Sequence, residues 1–261
     1  MELDQFLEKV ENNMLLKVEN LNKKFGSVVA AKNINFSMNK KEVIGVIGSN
    51  GAGKTTFCNM ITGYIKADTG KILFDGDDIT GFNVQQIKNK GIHRSFQIPQ
   101  VFDNLGVLEN IIITELVSKN KQNNFIEEAY NKLNYDNALL LLKNFSLENF
   151  RDKLVKELPQ GARKVLDIIL AIIGNPQIIL LDEPTSGIST DEKNIVMNNI
   201  IKFIKKLNIS VLFIEHDMEI VEKFSDRVVA FYNGEILADG DPQKVLKQKD
   251  VIKYIVGSQN A

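Results

Sequence analysis

What the sequence has little of narrows its function before any motif is considered. It holds one cysteine, Cys58, in 261 residues, so an internal disulfide is excluded and a reducing compartment fits. Flanked by Phe57 and close to Met60, this thiol reads as a small core side chain. Net charge is also missing: 32 lysines and arginines meet 33 acidic residues, for a formal charge of -1. Without a basic excess there is no long-range attraction to DNA, RNA or an anionic lipid surface, and no nucleic-acid partner is expected. No apolar run approaches the roughly 20 residues that cross a bilayer, and the acidic stretch 1–13 has no signal-peptide core, so any membrane role is expected to be peripheral. Internal repeats and coiled-coil heptads are absent too.

What remains is an ordinary globular composition, 44% hydrophobic, with enough length for one large α/β domain or a core plus a small subdomain. Leu3, Phe6, Leu7 and Val10 have helical spacing and predict a short amphipathic helix in an N-terminal extension over 1–13. Strands are predicted at Leu15 to Val18, Ile34 to Met38, Val43 to Ile47 and Lys71 to Phe74, with a hairpin turn at Asp75-Gly76. After Gln97 the texture changes. Val107 to Leu116 and Phe125 to Leu147 carry apolar residues three and four apart, predicting a helical insertion over 98–172. The α/β pattern resumes with a strand at Ile178 to Leu181, a helix from Asp191 to Lys206, a strand at Val211 to Ile214 and a hairpin at Asn233-Gly234.

The most specific segment is Gly48-Ser49-Asn50-Gly51-Ala52-Gly53-Lys54-Thr55, continuing into Thr56. It has the G-x-x-x-x-G-K-[ST] spacing, follows a predicted strand and opens a predicted helix, which is the context a phosphate-binding loop requires. Its glycines let backbone N–H groups and the positive end of the helix point at phosphates. Lys54 would then bridge the terminal phosphates and Thr55 would ligate Mg²⁺. A second signal is Ile178-Ile179-Leu180-Leu181-Asp182-Glu183, an apolar strand ending in two carboxylates where open α/β sheets bind ligands. Asp182 is expected to hold the Mg²⁺ shell and Glu183 to polarise the attacking water. A GTPase is disfavoured, because Asn131-Lys132-Leu133-Asn134 lacks the aspartate of a guanine motif.

With these residues in place, the chain resembles the ABC ATPase family from Met14 to Gly257. The resemblance implies a P-loop NTPase (RecA-like) core over 14–97 and 173–261, an antiparallel β subdomain and the helical insertion, with ATP and Mg²⁺ as cofactors. It places Gln97 of Arg94-Ser95-Phe96-Gln97 as a sensor of Mg²⁺ and water at the γ-phosphate. It makes His216 of Ile214-Glu215-His216-Asp217 a γ-phosphate partner, and Phe25 and Ala30 further nucleotide contacts. The family's Leu-Ser-Gly-Gly signature is altered here to Leu158-Pro159-Gln160-Gly161-Ala162, in which only Gly161 matches the two-glycine step. Ser186-Gly187-Ile188-Ser189 has serine where the family commonly has aspartate. Because each ATP lies between one subunit's phosphate loop and the other's signature, these departures imply a heterodimer in which this chain completes a weakened site on its partner. The segments 94–97, 214–218 and 251–257 look like those of branched-chain amino-acid importer ATPases and their urea or amide relatives. That implies a cytoplasmic subunit, peripheral on the inner face of the cell membrane, working with a second ABC ATPase, a permease and a solute-binding protein. A non-transport ABC protein and a poorly hydrolysing regulatory subunit are the alternatives.

Overall fold

The computed structural model describes residues 13–118 and 132–257. The helix expected around Leu3 to Val10 lies outside the described residues, as does the part of the 125–147 stretch before Lys132. Among the described residues, ten strands form two sheets. The first is antiparallel, in the order β2-β1-β4-β5, built from β1 (Met14–Phe25), β2 (Val28–Asn39), β4 (Thr69–Phe74) and β5 (Asp77–Asp78). In β2 the buried positions Ile34, Phe36 and Met38 alternate with more exposed ones, the period-two signature of a sheet wet on one side. Both long strands extend beyond the predicted runs, because the ladder continues through bulges past Val18 in β1 and from Val28 up to Ile34 in β2.

The second sheet has the order β10-β9-β3-β8-β7-β6. Its parallel centre comprises β3 (Val43–Gly48), β6 (Ile92–Ser95), β7 (Ile178–Asp182), β8 (Ser210–Ile214) and β9 (Arg227–Tyr232), and β10 (Glu235–Gly240) closes one edge antiparallel to β9. Strands β3, β7 and β8 are buried along their whole length, which is why they read as unbroken apolar runs. Side-chain alternation divides the interior into two cores. Val43, Ile47, Leu181 and Phe213 enter the core beneath the helices of the middle and C-terminal segments. Ile44, Val46, Leu180 and Leu212 enter the other, which the antiparallel sheet covers and Phe57 and Cys58 help fill. Enclosed there, the Cys58 thiol has its pKa pushed up to about 12 by desolvation, so it is an inert packing group. Asp75-Gly76 and Asn233-Gly234 both have positive φ at two successive residues, the backbone a two-residue hairpin needs.

The helices are α1 (Lys54–Ile61), α2 (Val84–Lys90), α3 (Val107–Ser118), α4 (Lys132–Asn144), α5 (Gln160–Ile172), α6 (Thr190–Lys206), α7 (Met218–Phe224) and the short α8 (Pro242–Val245). Helices α3, α4 and α5 pack together through Val107, Ile111, Ala138, Leu142, Val165 and Ile169. Helix α5 begins at Gln160, with Pro159 as its N-cap residue. Proline's fixed φ suits a helix entrance, and its missing N–H is no loss there.

Candidate nucleotide site

Strand β3 delivers residues 48–53 to the edge of the sheet at the N-terminus of α1, and the loop's shape depends on its glycines. Gly53 has φ 102° and packs so closely on β2 that a Cβ there would sit 2.4 Å from the Ala30 carbonyl oxygen. Gly51, also at positive φ, has nothing within 4 Å of such a Cβ. Gly53→Ala is therefore expected to cost about 2–5 kcal/mol, from strain and overpacking together, against about 1–2 kcal/mol for Gly51→Ala. Thermal denaturation of the two variants checks the difference, and equal losses would contradict the packing role of Gly53.

The first turn of α1 has no side-chain cap, which leaves its N–H groups directed into the cavity above. Lys54 bends back along the loop and donates from Nζ to the carbonyl oxygens of Gly48, at 2.6 Å, and Ser49, at 3.0 Å. Burial lowers its pKa below the ordinary lysine value, while the charges of Glu183 and Asp182 oppose the shift.

Asn50, Gly51, Ala52, Gly53, Lys54, Thr55 and Thr56 share one cavity with Ala30, Gln97, Asp182, Glu183 and His216. Residues up to 186 positions apart thus converge on a recess that holds one ammonium, two carboxylates and an imidazole. Gly48 and Ser49 lie outside the lining and act through Lys54. Phe25, at the end of β1, is 47% exposed with Lys23 over its ring, and Val28 and Ala30 line the cavity on that side instead. Gly161 is also outside the cavity, because it packs on this chain's own Ile188, where a Cβ would meet Cγ1 at 2.9 Å. Gln160 lies across Gly187 in the same way.

The two carboxylates have different partners. Asp182 Oδ2 accepts from Arg94 NH2 at 2.7 Å. Glu183 Oε2 accepts from Gln97 Nε2 at 3.0 Å, and its Oε1 lies 3.4 Å from His216 Nε2. Glu183 also holds φ 49°, uncommon for a residue with a side chain, and its N–H donates to the Ile214 carbonyl at 3.0 Å. That bond fixes the strained turn that sends the carboxylate between β6 and β8. Beneath it, buried Glu215 accepts from the Thr185 N–H and hydroxyl at 2.9 and 2.7 Å, bracing the turn after Pro184.

Three charged residues that the motifs did not single out complete the floor. Lys164 of α5, almost fully buried, donates to the carbonyl oxygens of Asp182, at 2.5 Å, and Phe96. Asp167, one turn later, accepts the N–H groups of Phe96 and Gln100 at 2.9 and 2.8 Å. Helix α5 thereby grips the chain on both sides of Gln97. Arg94 was visible in the sequence only as a member of the Arg94-Ser95-Phe96-Gln97 segment.

A divalent cation fits this donor set as a guest of the nucleotide. Thr55 and Asp182 face the same cavity, yet among the described residues no cluster of three or more His, Cys, Asp or Glu could hold a metal alone. Such a pair suits a hard cation that keeps water and phosphate oxygens as its other ligands. Among the described residues no helix is long and apolar enough to cross a membrane.

The sequence pattern of the family described as ABC transporter matches residues 31–186. High-affinity branched-chain amino acid transport ATP-binding protein BraF of Pseudomonas aeruginosa is 32% identical over 251 residues, which cover 93% of this chain and 98% of BraF. LivG of Escherichia coli K12, which bears the same description, is 32% identical over 250 residues, covering 93% and 98%. Among solved structures, the ADP conformation of an ATP-binding cassette of an ABC transporter aligns with TM-score 0.79 and 32% identity, over 92% of this chain and 98% of that one.

Proposed function

Because this chain belongs to the ABC transporter family and is one of its ATPases, we propose that it powers the import of branched-chain amino acids, or of related small polar solutes. Its place is the cytoplasmic face of the membrane, against an integral permease and a second ABC ATPase, with a solute-binding protein supplying cargo. The observation that carries this reading is the convergence of Lys54, Thr55, Gln97, Asp182, Glu183 and His216 on one cavity.

Each residue then has a task. The N–H groups at the start of α1 cradle the phosphates, and Lys54 leaves the carbonyls of Gly48 and Ser49 to bridge the β- and γ-phosphates. Thr55 and Asp182, with Gln97 in the same cavity, would hold Mg²⁺, which when bound would neutralise phosphate charge. Glu183 takes the proton of the water that attacks the γ-phosphorus, giving ADP and phosphate. Gln97 and His216, already on either side of that carboxylate, orient the water and the γ-phosphate.

A groove on the other side of β6, lined by Tyr64, Phe96, Phe102 and Leu170, suits a cytoplasmic helix of the permease. The altered signature, with Pro159 and Gln160 where the family has serine and glycine, supports a heterodimer, since it weakens the site that this chain completes on its partner. Co-expression with a permease pair, a second ATPase and a binding protein tests the reading. Proteoliposomes holding all of them are expected to hydrolyse ATP several-fold faster with a leucine-loaded binding protein. Hydrolysis indifferent to every branched-chain amino acid would overturn the cargo, and failure of the chain to join any permease would overturn the transport role.

A further inference from the structure

Arg94 is the one charged residue that lines the groove and also bonds to a residue of the nucleotide cavity. Its guanidinium is nearly enclosed, with 6% of the side chain exposed. NH2 holds Asp182 Oδ2 at 2.7 Å and NH1 holds Asn59 Oδ1 of α1 at 2.5 Å. The same group lies 5.2 Å from the Phe96 ring centroid and 6.0 Å from that of Tyr64, and these rings meet edge to face at 5.5 Å. Asn59 is tied to the groove as well, because its carbonyl accepts the N–H groups of Tyr64 and Ile65 at 2.9 and 3.1 Å. Nε is buried with no partner, so the guanidinium is held through its two terminal nitrogens and the two rings alone.

From this arrangement we infer that Arg94 is a positioning residue through which occupancy of the groove sets the hold of Asp182 on the divalent cation. The inference rests on the ATP and Mg²⁺ reading given above. A full positive charge bonded to one oxygen of Asp182 competes with a dication for that carboxylate. The competition is strong because Arg94 and Asp182 are shielded from water, which would otherwise screen the repulsion between guanidinium and cation. The permease helix proposed for this groove, pressing on Tyr64 and Phe96, displaces the guanidinium directly and through Asn59. Asp182 is then released to the cation. The groove thereby controls the metal site by a route separate from Gln97, whose bond is to Glu183.

The test is the Mg²⁺ concentration that half-saturates binding of a fluorescent ATP analogue to the full chain, with affinity in EDTA as the control. Arg94→Gln removes the charge and is expected to lower that midpoint about tenfold while leaving affinity in EDTA unchanged. Arg94→Lys, which keeps the charge, is expected to stay within about twofold of the native chain. Tyr64→Ala changes a residue 48% exposed and therefore tests the groove even if Arg94→Gln fails to fold. It is expected to lower the midpoint by about two- to threefold, a shift worth under about 1 kcal/mol. A midpoint unmoved by Arg94→Gln, or an equal change in EDTA, overturns the role of Arg94, and no shift with Tyr64→Ala overturns control from the groove. Should the native chain show no Mg²⁺-dependent binding at all, the nucleotide reading fails and takes this inference with it.

Discussion

Glu183→Gln is expected to lower steady-state ATP hydrolysis by about 10²- to 10⁴-fold, the range over which a positioned general base acts. MgATP binding is expected to survive. The amide is isosteric with the carboxylate and can keep a contact to Gln97 Nε2, now 3.0 Å from Oε2, so the cavity retains its shape. What it loses is the ability to take a proton. The strained φ of 49° and the bond from Glu183 N–H to Ile214 belong to the backbone and persist in the variant. Phosphate release in single and multiple turnovers measures the effect, and turnover within about threefold of native would remove Glu183 from the chemistry.

Lys54→Ala is expected to weaken MgATP binding by at least about 10²-fold. Hydrogen bonds from a charged donor contribute about 1.5–3 kcal/mol each, and loss of two of them reaches that factor. The ammonium, now held by the Gly48 and Ser49 carbonyls, exchanges those neutral acceptors for charged phosphate oxygens, which bind it more strongly. Its partly buried charge, disfavoured by desolvation, is relieved by the phosphates it meets. Lys54→Arg is expected to bind almost as poorly, because a planar guanidinium does not fit where a compact ammonium reaches two loop carbonyls. Calorimetric titration with MgATP, with circular dichroism to show that the fold is retained, decides the matter; native affinity in Lys54→Ala would refute the assignment.

Legibility in the sequence followed the range of the interactions. The loop over 48–55 was readable because its geometry is set within eight residues by glycine φ values and one lysine. The Asp182-Glu183 pair was readable because full burial of β7 makes the preceding run apolar. Arg94, Lys164 and Asp167 carried no local pattern, since their partners are chosen by the tertiary fold. Arg94 reaches Asp182 across 88 positions and Asp167 reaches Phe96 across 71. Helices α2 and α7, at seven residues each, were too short to establish a 3.6-residue period. The outer parts of β1 and β2 escaped notice for a different reason: bulges break the two-residue alternation there, so they are strand by pairing rather than by pattern. Phe25, exposed at the end of β1 beside the cavity-lining Val28 and Ala30, was legible only through its position in the family pattern.

The most direct measurement is isothermal calorimetry of ATP into the native chain and Lys54→Ala, each with Mg²⁺ and with EDTA. One nucleotide per chain, bound far more tightly with Mg²⁺ and lost in the variant, is the predicted result. Folded native protein that takes up no adenine nucleotide in a Mg²⁺-dependent way would contradict it.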